Sequence, residues 1–183
     1  MTGPGGGGAP ACVTGRFQPV HEDHLRLFRI ALADRGRLIV GITNPDPGSR
    51  RPEAGSEHRH RPDANPFTYH ERVELIIAAL GTTEVRFVPF DLGRPEHWAH
   101  YVPLCAVQYV GRHGDWEAEK AHRLAAAGYR VVEVDGAAGA RRSASAIREA
   151  MRDGAGWEPL VPAPTVEPLR AMLARRRAEG IAL

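Results

Sequence analysis

Short apolar runs alternate with helical patterns along almost the whole chain, and this alternation restricts the fold more than any single residue does. Five runs have strand length: Ala11 to Thr14, Arg37 to Ile42, Val85 to Val88, Ala106 to Val110 and Tyr129 to Val134. Helical spacing falls between them. His24 to Ala33 sets Leu25, Phe28 and Leu32 on one face, and Phe67 to Leu80 does the same with Val73, Ile76, Ile77 and Leu80. Further helices are expected over Asp115 to Ala127, Ser145 to Asp153 and Thr165 to Ala178. Such alternation predicts an α/β fold, a doubly wound parallel five-stranded sheet with C-terminal helices. In these sheets ligands gather beyond the carboxyl ends of the strands, at the switch point beside the first strand. A ligand site is therefore expected just after Thr14, Ile42, Val88 and Val110.

The chain has 183 residues, the size of one domain, and its 43% hydrophobic and 25% charged residues are a globular balance. Residues 1–10 are Gly-rich and are expected to be a flexible tail ahead of a single domain over residues 11–183. The tail lacks the charged and apolar regions of a signal peptide, and no apolar run approaches membrane-spanning length. A formal charge of +2 gives no reason to expect a nucleic-acid partner. Cations cluster at Arg50-Arg51, His58 to Arg61, Arg141-Arg142 and Arg175 to Arg177, which suits either a small polyanion or plain solvation. Cys12 and Cys105 both fall in strand-like stretches and are expected as buried free thiols, consistent with a reducing cytoplasm. Residues 44–65 are polar and rich in Pro, Arg and His, a mobile lid or loop.

The string Gly15-Arg16-Phe17-Gln18-Pro19-Val20-His21-Glu22-Asp23-His24 lies between the first strand and the first helix. Gly15 permits a tight turn, and the helix starting near His21 aims its free N–H groups and positive dipole end at the strand terminus. His21 and His24 are one helical turn apart and project to the same side, where two imidazoles can bond phosphate oxygens. Late in the chain, Ser143 or Ser145 can cap the helix running to Asp153, and Arg148 can reach an anion with its forked guanidinium.

The first string resembles the G-R-F-Q-P-x-H-x-G-H signature of the HxGH nucleotidyltransferase superfamily, in particular the archaeal-type nicotinamide mononucleotide adenylyltransferases. Other segments are similar in the same order. Asn65 to Arg72 resembles N-P-F-T-x-x-E-R, Trp98 to Val102 looks like W-x-x-Y-V, Ser143 to Arg148 resembles S-x-T-x-x-R, and Trp157 to Pro162 looks like W-x-x-L-V-P. The resemblance spans roughly residues 12 to 170 and implies a Rossmann-like domain.

The resemblance implies that an acceptor's phosphate oxygen attacks the α-phosphate of an NTP, ATP or CTP, and that pyrophosphate leaves. It assigns His21, His24 and Arg148 to catalysis. Gly15, Arg16, Phe17, Gln18, Asp23, Gly111, Ser143 and Ser145 would bind the nucleotide, and Asn65, Phe67, Arg72 and Trp98 the acceptor. Read from the residues alone, Trp98 is either core or a stacking platform, Arg72 either a surface arginine or a phosphate clamp, and Gly111 either a close approach to ribose or a strand-ending turn. Mg2+ is expected to be held mainly by the NTP phosphates and water, with no dedicated protein metal ligands. Asp23 replaces the family's glycine and could accept a hydrogen bond from the exocyclic amine of adenine or cytosine. Pro95 stands where relatives carry an asparagine for the nicotinamide carboxamide. A phosphonate or phosphorylated acid is thus an alternative acceptor, and a non-catalytic nucleotide-binding regulator an alternative class. A zinc site built from His58, His60 and His70 has little support, since the spacing matches no standard site. Relatives often assemble, so a homo-oligomer is possible, although no interface is legible in the sequence.

Overall fold

Successive residues of a strand point to opposite sides of a sheet, and here both sides are covered. The computed structural model describes residues 8–52, 59–136, 143–154, 156–181 and 183. Elements follow one another as β1 (Ala11–Gly15), α1 (Glu22–Arg35), β2 (Leu38–Ile42), α2 (Tyr69–Leu80), β3 (Val85–Pro89), α3 (Trp98–Tyr101), β4 (Val107–Arg112), α4 (Asp115–Ala126), β5 (Arg130–Asp135), α5 (Ala144–Asp153) and α6 (Val166–Ala178). The five strands form one sheet in the order β3-β2-β1-β4-β5, and every pair is parallel. This is the doubly wound, Rossmann-like α/β fold. Central β1 and β2 are the most deeply buried strands, as expected when helices cover both faces.

Alternation along β1 sends Ala11 and Val13 into one core and Cys12 into the other. The larger core joins α1, α2, α5 and α6 through Leu25, Phe28, Leu75, Ile76, Ile147, Met151, Leu169 and Met172. The smaller core packs α3 and α4 on the opposite face through Trp98, Ala121 and Leu124, with Phe90 and Val110. Among the described residues no helix is long and apolar enough to cross a membrane.

The sheet opens at its centre. β1 runs beside β2 from Ala11↔Leu38 to Gly15↔Ile42, but beside β4 only at Ala11↔Val107 and Cys12↔Gln108. Beyond Cys12 the two inner strands diverge toward their carboxyl ends, and the crevice between them is the switch point expected of this topology.

Several expectations need correction. The buried face of α2 is Glu71, Arg72, Leu75, Ile76 and Ala79, not the stripe of Val73, Ile76, Ile77 and Leu80. Two ionic residues turn inward because they find partners there: Glu71 accepts from Arg175 (3.0 Å) and Arg176 (2.6 Å) of α6. On α1, Ala31 takes the buried position expected for Leu32. Cys12 is buried in β1 as expected, whereas Cys105 is exposed, in the turn ahead of β4. Of the expected tail, residues 1–7 lie outside the described residues; so do His58 and residues 53–58 of the loop, and Arg141-Arg142.

Candidate active site at the sheet opening

A cleft of about 540 Å³ occupies the crevice, lined by the β1–α1 turn, the carboxyl end of β4, the first turns of α4 and the start of α5. Its floor begins at Gly15. A Cβ there would lie 2.8 Å from the Phe17 ring, so only glycine lets that ring fold back over the strand end. Phe17 reaches this position with φ +51 and is buried. Its ring meets His24 edge-on at 5.0 Å and Phe28 at 5.3 Å, propping up the opening turn of α1.

On that turn, His21 takes the N-cap position and its ring stacks on His24 at 3.7 Å. The His21 backbone N–H donates to His24 Nδ1 at 3.4 Å. A neutral His24 whose Nδ1 accepts must carry its proton on Nε2, the tautomer able to donate to an anion. His24 stays neutral well below the ordinary histidine value, first through burial and then through the positive charge of His21, Lys120, His113 and Arg16.

Arg16 donates from Nη1 to the carbonyls of Ala64 (3.1 Å) and Arg59 (3.3 Å). Burial, then the nearby Arg59, Arg148 and Arg72, pull its pKa down to about 9, so a bound anion would relieve cationic crowding. Across the cleft, Ser143 caps α5 by accepting from the Ser145 backbone N–H at 3.2 Å. Arg148 is buried behind the wall, donating to the Gln18 carbonyl (2.7 Å) and Ser145 Oγ (3.1 Å). It ties the first motif to the last.

Gly15, Arg16, Phe17, Gln18, His21, Asp23, His24, Gly111, Ser143 and Ser145 all line the cleft, while Arg148 stands directly behind it. The Gln18 amide is already engaged, donating to the Phe67 carbonyl and accepting from its N–H, each at 2.9 Å. Residues assigned to the acceptor sit elsewhere. Trp98 is 1% exposed, its ring stacked on Phe90 at 5.2 Å and its indole N–H bonded to the Asp91 carbonyl. No ring face is left for a ligand. Arg72 is enclosed by backbone: Nε donates to Thr68 (3.1 Å), Nη1 to Arg16 (3.0 Å) and Thr43 (2.8 Å), and Nη2 to Asn44 (2.9 Å) and Pro45 (3.4 Å). Asn65 ties the loop to itself through the carbonyls of Arg59 and Arg61, and Phe67 lies in the larger core.

Among the lining residues that carry no sequence expectation are His113, Trp116 and Lys120, while Arg59, from the cationic His58-to-Arg61 cluster, also reaches the cleft. The Arg59 guanidinium lies 4.4 Å over the Trp116 ring, a cation–π contact. A Cβ on Gly111 would lie 2.7 Å from His113 Nε2, so glycine there admits the imidazole against β4. Lys120 donates from Nζ to the Thr14 carbonyl at 2.5 Å. Trp116 and Lys120 are four apart on α4, one helical face. That spacing, just past the expected fourth strand, was the available signal.

A doubly wound sheet split at its switch point, with three imidazoles, two serines and three helix starts facing the split, defines a phosphate-handling α/β enzyme of the nucleotidyltransferase class. Residues 12–150 match the cytidylyltransferase-like family, and the chain belongs to it. Phosphonoformate cytidylyltransferase of Streptomyces viridochromogenes is 38% identical over 156 residues, covering 82% of this chain and 84% of its own. Nicotinamide-nucleotide adenylyltransferase of Thermococcus kodakarensis is 30% identical over 178 residues, covering 92% and 86%. The fold is also similar to a bifunctional NMN adenylyltransferase/ADP ribose pyrophosphatase from Francisella tularensis (TM-score 0.66, 17% identity), over 92% of this chain and 49% of that one. The chain is a nucleotidyltransferase that transfers a nucleoside monophosphate to a phosphorylated small molecule.

Proposed function

We propose that this enzyme moves CMP from CTP to a small phosphonate. A phosphonate oxygen forms the new bond to the α-phosphorus of CTP as the bond to the bridging oxygen breaks, and pyrophosphate leaves. His21, His24 and Arg16 stabilise the charge spread over the phosphate oxygens, with the amides at the start of α5 beside them. The observation that carries this reading is the burial of Trp98 against Phe90, together with Pro95, which has no side chain able to bond a carboxamide. A nicotinamide ring has no platform there, whereas a compact polyanion needs none. The 38% identity to a phosphonoformate cytidylyltransferase supports the same acceptor class.

Mg2+ would arrive on the triphosphate. Asp23, Asp115 and Glu117 line the cleft as single carboxylates, and no group of three His, Cys, Asp or Glu able to hold a metal occurs among the described residues. That donor set fits an ion carried mainly by phosphate oxygens and water.

The test is a matrix of four NTPs against phosphonoformate, phosphonoacetate and nicotinamide mononucleotide, reading pyrophosphate release and confirming the product by phosphorus NMR. CTP with a phosphonate is the expected productive pair. Turnover confined to ATP with nicotinamide mononucleotide would overturn the proposal.

A further inference from the structure

The β1–β4 ladder ends at Cys12↔Gln108, two residues before the carbonyl of Thr14 needs a donor. Lys120 supplies it, reaching across the opening from α4 to bond that carbonyl at 2.5 Å. An ammonium has three N–H donors, and among the described residues no further hydrogen-bond partner meets Lys120. Two donors are therefore left at the cleft wall, beside the turn that carries His21 and His24. An ammonium with unmet donors next to a histidine pair at a strand terminus is arranged for an anion.

We propose that Lys120 binds the nucleotide's phosphate chain, giving its two remaining N–H groups to phosphoryl oxygens while the third stays on Thr14. The inference rests on the nucleotidyl-transfer reading of this cleft. It adds a phosphate ligand from α4, outside the motifs at β1–α1 and α5. The surroundings make its charge conditional. Burial brings the Lys120 pKa down to about 8; Cys12 on β1 and Glu117 on α4 favour the ammonium, and Arg59 opposes it. His24 of α1 feels the same charge from the other side. Above pH 8 the free enzyme increasingly holds a neutral amine, so each anion bound must then bring a proton with it.

Calorimetric titration with inorganic pyrophosphate, without metal, tests this on the full chain from pH 6.5 to 9.5. At pH 6.5, Lys120→Met is expected to weaken pyrophosphate binding by about ten- to a hundredfold, the range for hydrogen bonds to a charged group. The ratio of wild-type to Lys120→Met affinity should shrink as pH rises past about 8. Lys120→Arg keeps its charge throughout and should lose less affinity than wild type between pH 8 and 9.5. That second comparison decides the matter if Lys120→Met does not fold. A lysine that merely props Thr14 would lower the melting temperature and leave the pH dependence of binding equal in all three proteins. That result would overturn the proposal. Failure of the wild type to bind pyrophosphate at any pH would instead sink the phosphate-site reading itself.

Discussion

The two banks of the cleft use their cations in opposite ways. On the β2 side, the five N–H donors of Arg72 meet five backbone carbonyls, from Thr68, Arg16, Thr43, Asn44 and Pro45. Asn65, Phe67 and Trp98 are likewise committed to loop, core and Asp91. On the β4 side, Lys120 has one acceptor for three donors, and His24 Nε2 carries a proton beside the same space. A polar side chain whose bonds are all filled by the protein holds the fold; one that reaches a cleft with donors unmet is available to a ligand. Residue type alone does not separate the two roles, since arginine and lysine are both ordinarily cations at neutral pH.

That contrast can be broken most sharply at the histidines. Replacing His21 and His24 together with alanine is expected to lower kcat/KM by about a thousandfold or more, with circular dichroism unchanged and stability lowered only by the lost helix cap, about 1 kcal/mol. Wild-type activity in the double variant would remove the β1–α1 turn from the chemistry. On the opposite bank, Arg72→Met strands five carbonyls and should cost about 3 kcal/mol or more of stability, read in denaturant unfolding. If Arg72→Met melts like wild type and only binding weakens, the division into folding and ligand banks is wrong. Asp23→Gly sharpens the picture by testing the base. It should lower the CTP-to-UTP preference in kcat/KM by about tenfold, roughly one hydrogen bond, since uracil offers a carbonyl where cytosine offers an amine; an unchanged ratio at unchanged activity takes Asp23 out of the site. The smallest effect is a pH term. Folded His24 resists protonation, so as pH falls below about 6.5 the unfolded chain takes up a proton that the folded chain refuses. Stability should decline over that range, and less so in His24→Asn. Equal slopes for the two proteins would show that His24 is not the residue responsible.

Much of the cleft was legible in advance because its parts are local. The Gly15-to-His24 string and the Ser143-to-Arg148 string each place a cap, an anion-facing helix start and a polar side chain within a turn or two of one another, and ten of the assigned residues do line the cleft. The acceptor set was less legible. Whether Trp98 stacks on a ligand or on Phe90 depends on how α3 packs against the sheet, and a period-3.6 reading cannot weigh that. The α2 stripe shows the same blindness. Apolar spacing favoured Val73 and Ile77, while Glu71 and Arg72 turned inward because α6 and the chain around residues 43–45 supply their partners from far along the sequence.

The order of apolar runs and helical stripes was enough, by itself, to dictate a parallel sheet wound on both faces, because strand and helix periods are short-range properties. Which cations remain open to a substrate was settled only on folding. The early divergence of β1 from β4 brings Thr14 and Lys120 together across 106 residues of chain. Filling or withholding a hydrogen bond at such a distance is a matter of three-dimensional geometry, to which local sequence spacing carries no key.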